Sequence, residues 1–294
     1  VPMDSDLIAA WAAAYGQLAD ILIAAEKQRY AEQEAIQGGW NGWREFKVVR
    51  KQPESSVITS FYLQAVDGGD LPAYQAGQYV SVRVEVPELG IKQPRQYSLS
   101  QAANGNELRI SVKRESEREA LAAGYVSNTL HEHVQEGDVL ELSNPNGDFV
   151  LNSADKANVF ISAGVGITPM MAMLGQVAAH NMPEATSFIH ACRDEHSLSM
   201  SEAVAAIKQR FPQLQTYLAC ETQPETDLDV QTIGRLNLQT VGAELLPREA
   251  DYYVCGPVGF MQVQYQSLLG LGIAPEQIHM EAFDTGGIAA VTAA

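Results

Sequence analysis

Residues 157–179 carry no charged side chain, a run long enough by itself to cross a bilayer, yet Gly164-Val165-Gly166-Ile167-Thr168-Pro169 interrupts it. Residues 159–163 read as a short buried strand, the glycines as a tight turn, Thr168 as a helix cap and Pro169 as a first-turn residue. Strand, glycine turn and helix together make the layout that receives a pyrophosphate. Backbone amides and the positive end of the helix dipole face the anion, and glycine lets it approach closely. The dinucleotide fingerprint has a third glycine where this chain has Pro169, so a plain α/β turn is the competing reading of the segment taken alone.

At 294 residues the chain is long enough for two domains with filled cores. Its net charge of -17 argues against a nucleic-acid partner, since most of the surface would repel a phosphate backbone. Cys192, Cys220 and Cys255 are odd in number, far apart in sequence and without a CxxC pair, which points away from a disulfide framework, a zinc site or an iron-sulfur site. A reducing compartment follows, and with no basic-then-apolar leader the expectation is a cytoplasmic protein. Residues 157–179 are the one membrane candidate in this reading, and the strand-turn-helix interpretation removes it. The opening at Val1, directly before a helix, reads as a processed product or a piece of something longer.

Leu7, Ile8, Trp11, Tyr15, Leu18 and Leu22 recur at intervals of three and four, one stripe of an amphipathic helix that Asp4 or Ser5 can cap and Gly38-Gly39 can end. Such a stripe needs cover from the rest of the chain, a second copy or another domain. Residues 43–152 change to short β-rich runs at 46–49, 57–63, 79–86, 108–112 and 139–142, separated by turn residues, with a helical insert at 126–134; this describes an antiparallel barrel. Beyond residue 157 strands (159–163, 187–191, 215–219, 252–255, 278–281) alternate with helices (170–179, 201–209, 259–269), which implies a parallel sheet with ligands at the carboxyl ends of its strands. Residues 288–294 read as a loose tail. The predicted fold is therefore α+β and α/β in two domains: a helix over 1–39, a β-barrel over 40–153 and an α/β domain over 154–294.

The barrel, Arg95-Gln96-Tyr97-Ser98, the glycine turn and Cys255-Gly256-Pro257 resemble the ferredoxin-reductase-like flavoenzymes, which bind FAD on the barrel and NADH or NADPH on the α/β domain. Gly77-Gln78-Tyr79, Val126-Ser127-Asn128 and Cys255-Gly256-Pro257-Val258-Gly259-Phe260-Met261 narrow the resemblance to the reductase part of flavohemoglobins, the nitric oxide dioxygenases. In that family the first forty residues would be the last globin helix; the proximal histidine would lie upstream, so no haem is expected on this chain. His131 and His133, two apart on a helix, do not share a face and cannot replace it.

Arg95 can meet a pyrophosphate with a bidentate fork, and Tyr97 and Ser98 can offer hydroxyls to the flavin edge and its N5. The resemblance adds Gln96 and Tyr79 to the FAD set, and has Val126, Ser127 and Asn128 give amides to the FAD phosphates. It places Gly164 to Pro169 on the coenzyme, Cys255, Gly256 and Pro257 beside the nicotinamide, and the segment of Glu281, Ala282, Phe283, Asp284 and Thr285 against the flavin. Phe283 is followed by Asp284-Thr285-Gly286 where the family usually has Gly-Pro. Arg193-Asp194-Glu195 holds the ingredients of either coenzyme choice, with the acidic pair favouring NADH and a solvated charged loop equally open. The implied reaction passes a hydride from the nicotinamide to the flavin, with Tyr97, Ser98, Cys255 and Glu281 at the reacting atoms, then single electrons to an acceptor: a globin haem, free flavin or a ferric chelate. No metal site of the chain's own, no membrane and no nucleic acid enter this reading. A stand-alone flavin or ferric reductase, and a flavin-binding interaction module that turns over poorly and assembles through the N-terminal helix, are the alternatives.

Overall fold

Short strands with one apolar face give the middle of the chain its sheet. The computed structural model describes residues 5–116, 123–183, 185–283 and 287–292. Strands β1 (Arg44–Pro53), β2 (Ile58–Ala65), β3 (Tyr79–Val86), β4 (Ile91–Ser98), β5 (Leu108–Lys113) and β6 (Val139–Leu142) form an antiparallel sheet in the order β4-β3-β6-β1-β2-β5. Its two ends meet at a bridge between Leu99 and Ile110, so the sheet curls into a barrel around Phe46, Phe61, Leu63, Val80, Val82 and Leu140. Helix α2 (Tyr125–Glu132) adds Val126 and Leu130 to this core. Trp40 joins it too, its indole Nε1 donating to the Leu142 carbonyl at 3.0 Å.

The second half is a six-stranded parallel sheet. It comprises β7 (Asn158–Ala163), β8 (Ser187–Cys192), β9 (Gln215–Cys220), β10 (Thr232–Ile233), β11 (Asp251–Cys255) and β12 (Ile278–Glu281), in the order β10-β9-β8-β7-β11-β12. Helices α3 (Ile167–Ala179), α4 (Ser201–Arg210) and α5 (Val258–Gly270) connect them. Strand order reverses between β7 and β11, and in open α/β sheets the crevice beyond the carboxyl ends at such a switch point receives the ligand. The uncharged run thus divides into β7, a single 3-10 turn at Gly164–Gly166 and a buried core helix. Two expectations need correction here. Thr168 does not cap α3: its hydroxyl donates to the Val165 carbonyl at 2.9 Å, and the N-cap is Gly166. The tail is not all loose, for Ala289–Thr292 forms a short helix, α6, with Val291 wholly buried in the core beneath α5.

Helix α1 (Ser5–Ala35) runs as the three-and-four spacing predicts, but the rest of the chain does not cover its stripe. Trp11 is 70% and Tyr15 73% exposed. Its ties to the barrel lie at its far end, where the Asn41 amide donates to the Tyr30 carbonyl and to Glu34 Oε1. Among the described residues α1, and not the 157–179 run, is the helix long and apolar enough to cross a membrane by length and composition. A run read by charge alone missed it because Asp20 and the charged last turns hide the apolar stretch between Leu7 and Ala19.

Candidate functional site

A cleft of about 510 Å³ opens where the barrel meets the α/β domain. The end of β4 supplies one wall with Arg95, Gln96, Tyr97 and Ser98, all four in the cleft. Register with β3 sets Ser98 opposite Tyr79 and Tyr97 opposite Val80, which brings Tyr79 into the same wall. Burial holds the Tyr97 phenol far above its ordinary pKa, so its hydroxyl stays protonated and able to donate. Arg95 stands at the exposed rim, one guanidinium nitrogen donating to the Pro94 carbonyl at 2.7 Å.

The amino end of α2 faces the cleft with Gly124, Val126 and Ser127. Its N-cap Gly124 has no side-chain cap, and first-turn amides find no carbonyl within their own helix. Asn128 departs from the expected set. Its amide already bonds the Gly124 carbonyl, and its side chain bonds the Glu115 and Gly124 carbonyls and accepts from Arg114, so it ties the helix to the end of β5 from outside the cleft.

The opposite wall comes from the α/β domain: Val165 and Thr168 of the turn, and Glu281, Ala282 and Phe283 after β12. Gly164 adopts φ +53° with open space where a side chain would be, while a Cβ on Gly166 would lie 2.2 Å from the Cys255 carbonyl oxygen. The turn therefore rests on the end of β11, and Ile167 and Pro169 are buried behind it. Cys255 pairs in register with Glu281 but is wholly buried, so neither it nor Gly256 and Pro257 form part of the cleft wall. Burial, and then the Glu281 charge, push its thiol well above the ordinary range. Glu281 is itself raised, by burial first and by Asp148 second, and can hold a proton where an open carboxylate would not. Phe283, 47% exposed, stands at the rim; Asp284 and Thr285 lie outside the described residues.

The loop after β8 corrects the coenzyme argument. Asp194 is occupied as a cap, accepting from the Ser197 amide at 2.8 Å, and one Glu195 oxygen accepts from the Glu225 and Thr226 amides and the Thr226 hydroxyl. Asp194 thus closes its own turn, Glu195 ties that loop to the one at Glu225 and Thr226, and Arg193 is the exposed member of the three. Nor are the cysteines all far apart. Cys192 and Cys220 are register partners on β8 and β9, and burial together with the neighbouring thiol pushes Cys192 up to about 12. Both ring nitrogens of His131 are in protein contacts, with Val112 and Thr59, and no group of three metal-ligating side chains occurs among the described residues.

Sequence reasoning missed Ser111, Lys113, Glu115 and Tyr125 in the cleft. The first three alternate along β5 and past its end, so strand periodicity places them on one face once any of them is known to face the cleft. The whole set fits a flat aromatic ring with a diphosphate tail. Tyr79, Tyr97, Tyr125 and Phe283 offer ring faces, Arg95 offers positive charge while Lys113 is ion-paired with Glu115 at 2.7 Å, and the uncapped α2 terminus offers amides. The Gly164 turn at the β7/β11 switch point fits a second pyrophosphate.

A curled antiparallel barrel joined to a parallel α/β domain, with a ring-and-phosphate cleft between them, defines a flavin- and nicotinamide-dependent oxidoreductase. Residues 45–151 match the family model for an oxidoreductase FAD-binding domain, and residues 160–266 that for an oxidoreductase NAD-binding domain. The chain is 53% identical over 283 residues to a flavohemoprotein of Chromobacterium violaceum, covering 95% of this chain and 70% of that protein. It is 50% identical over 289 residues to a flavohemoprotein of Bordetella pertussis, covering 97% and 71%. The flavohem-like FAD/NAD-binding domain of nitric oxide dioxygenase from Vibrio cholerae superposes with a TM-score of 0.75 at 38% identity, over 81% of this chain and 98% of that one. A flavohemoglobin from Malassezia yamatoensis with bound FAD and haem gives 0.76 at 26% identity, over 96% and 69%. The chain belongs to the flavohemoprotein family and carries its FAD- and NAD-binding reductase domains.

Proposed function

We propose that this chain serves as the reductase part of a nitric oxide dioxygenase, delivering electrons from the nicotinamide coenzyme to a globin haem. When bound, FAD accepts a hydride from the nicotinamide and releases electrons singly. The chain's residues bind, orient and manage the proton. Arg95 and the α2 terminus would hold its phosphates, and Tyr79, Tyr97 and Phe283 would flank its ring. The Ser98 hydroxyl would stand at its edge, and Glu281 lines the same cleft with a carboxyl whose hold on a proton burial strengthens. The observation that carries this reading is the convergence of Arg95 to Ser98 with Glu281 to Phe283 across one cleft. Anaerobic titration of the FAD-loaded protein with NADH tests it. Flavin absorbance should bleach stoichiometrically; a protein that takes up no FAD sinks the reading.

The choice of haem as acceptor rests on α1. The match to the haem-containing flavohemoglobin covers 96% of this chain, whereas that to the isolated Vibrio reductase domain covers 81%. The extra length accommodates α1, whose uncovered stripe fits a globin partner better than a free ferric or flavin acceptor does. Self-association of the stripe is the second reading, favoured by the exposure of Trp11 and Tyr15. A cytoplasmic setting accompanies the proposal, supported by three free thiols.

A further inference from the structure

Arg44, the first residue of β1, sits at the centre of the joint between α1 and the barrel. Its Nε donates to Asp67 Oδ2 at 3.0 Å and one terminal nitrogen donates to Asp67 Oδ1 at 2.6 Å, a two-pronged grip on the loop after β2. The other terminal nitrogen donates to the Asp70 carbonyl at 3.0 Å and to the carbonyl of Gly38, in the turn that ends α1, at 3.4 Å. The guanidinium carbon lies 5.3 Å from the Trp40 ring centre and 5.7 Å from that of Phe46, so two rings of the barrel flank the cation. With four N–H groups engaged and 13% of the side chain exposed, the planar group has little freedom to turn.

The backbone closes the same joint. Gly38 adopts φ +78°, and a Cβ there would lie 2.6 Å from the Leu71 backbone carbon, so the end of the helix rests directly on the loop. Gln37 Nε2 adds a bond to Asp70 Oδ2 at 3.0 Å. That loop runs on into the flavin cleft: Leu71 packs on the barrel core, the Tyr74 hydroxyl donates to the Gln101 carbonyl at 2.9 Å, and Tyr79 opens β3 in the cleft wall. One short segment thus carries the helix at one end and the cleft at the other. We propose that Arg44 is a positioning residue that locks α1 at one fixed angle to the flavin cleft, so that a partner seated on the α1 stripe approaches the flavin in a single orientation. A flexible tether would let that partner swing, whereas a held geometry replaces the search with an oriented approach. The consequence for electron transfer rests on the reading of that partner as a globin; the locked angle does not.

Electron paramagnetic resonance distances between nitroxides on Ala13→Cys in α1 and Lys47→Cys in β1 of the FAD-loaded full chain read the angle. Both positions are exposed, and the three native thiols are buried away from the label. A single narrow distance distribution is expected for the labelled parent, broadened by about twofold or more in Arg44→Ala. Asp67→Ala, which removes a mainly exposed carboxylate, should broaden it as well and keeps the test open if Arg44→Ala fails to fold. NADH-driven bleaching of the flavin should stay unchanged in both, because neither residue lines the cleft. With a haem-loaded globin domain added, both variants should reduce haem about tenfold more slowly than the parent. A broad distribution in the parent, or a narrow one that the folded variants keep, overturns the proposal. Haem reduction as fast in the variants as in the parent overturns the positioning role. A parent that reduces no haem while its distances stay narrow overturns the globin reading alone and leaves the locked angle standing.

Discussion

Arg95 and Glu281 stand on facing walls of one cleft, the first exposed at its rim and the second partly buried. Arg95 lies at the solvent rim, so its loss removes charge-assisted contacts to an anion without leaving a buried group unpaired. Arg95→Gln should weaken FAD binding by about 10- to 100-fold, corresponding to about 1.5–3 kcal/mol for such hydrogen bonds, with folding intact. Fluorescence titration of the apoprotein with FAD measures it. Glu281 has its pKa raised in the folded chain, by burial first, so its ionised form is disfavoured there. Stability is fully present below the unfolded carboxyl pKa and declines as pH rises through the folded value. Glu281→Gln should therefore be at least as stable as the parent at pH 7, with the difference vanishing in acid. If the carboxyl handles the proton, the same substitution slows flavin turnover and erases a limb of the pH-rate profile. Equal profiles in the two proteins would remove Glu281 from the chemistry.

Among the elements, the turn after β7 makes the sharpest demand on residue type. A Cβ at Gly166 would sit 2.2 Å from a backbone oxygen of Cys255, which no side-chain rotation relieves, whereas a Cβ at Gly164 meets nothing but must tolerate φ +53°. Gly166→Ala should push the turn off β11, destabilising the fold by roughly 1–3 kcal/mol and raising the KM for NADH. Gly164→Ala should cost about 1–2 kcal/mol through the left-handed backbone alone. Denaturant melts combined with NADH kinetics separate the two, and equal effects at both positions would contradict the close approach. The turn was legible in sequence because glycine spacing reports backbone geometry directly. Strand β4 was not named as a strand. Ile91–Ser98 carries Lys, Gln, Arg and a Pro, and most of it faces solvent, so no apolar alternation marks it even though it bears the flavin motif. Helix α6 was invisible for a similar reason, since its buried Val291 lies among alanines and threonine in the sequence. The pairing of Cys192 with Cys220, and the service of Glu195 in joining two loops, depend on register and long-range contact that composition does not encode.

Across the whole molecule, the cores and the apolar stripe obey different logic. Three apolar clusters fill the barrel and the two faces of the parallel sheet, and none of them includes a residue of α1. The helix reaches the barrel mainly through Asn41 and its own last turns, so its stripe adds little to reductase stability. Trp11→Lys and Leu18→Lys should change folding stability by no more than about 0.5 kcal/mol, as exposed positions do, and leave NADH-driven flavin bleaching unchanged. What they should alter is association. A net charge of -17 keeps like molecules apart in low salt, and the stripe draws them together once salt screens that repulsion. Sedimentation across a salt series should then show the parent chain gaining mass with ionic strength while the doubly substituted chain stays monomeric. A parent that is monomeric throughout would leave the stripe to a globin partner, and addition of a haem-loaded globin domain, read by NADH-dependent haem reduction, would show whether the same two lysines break that contact instead.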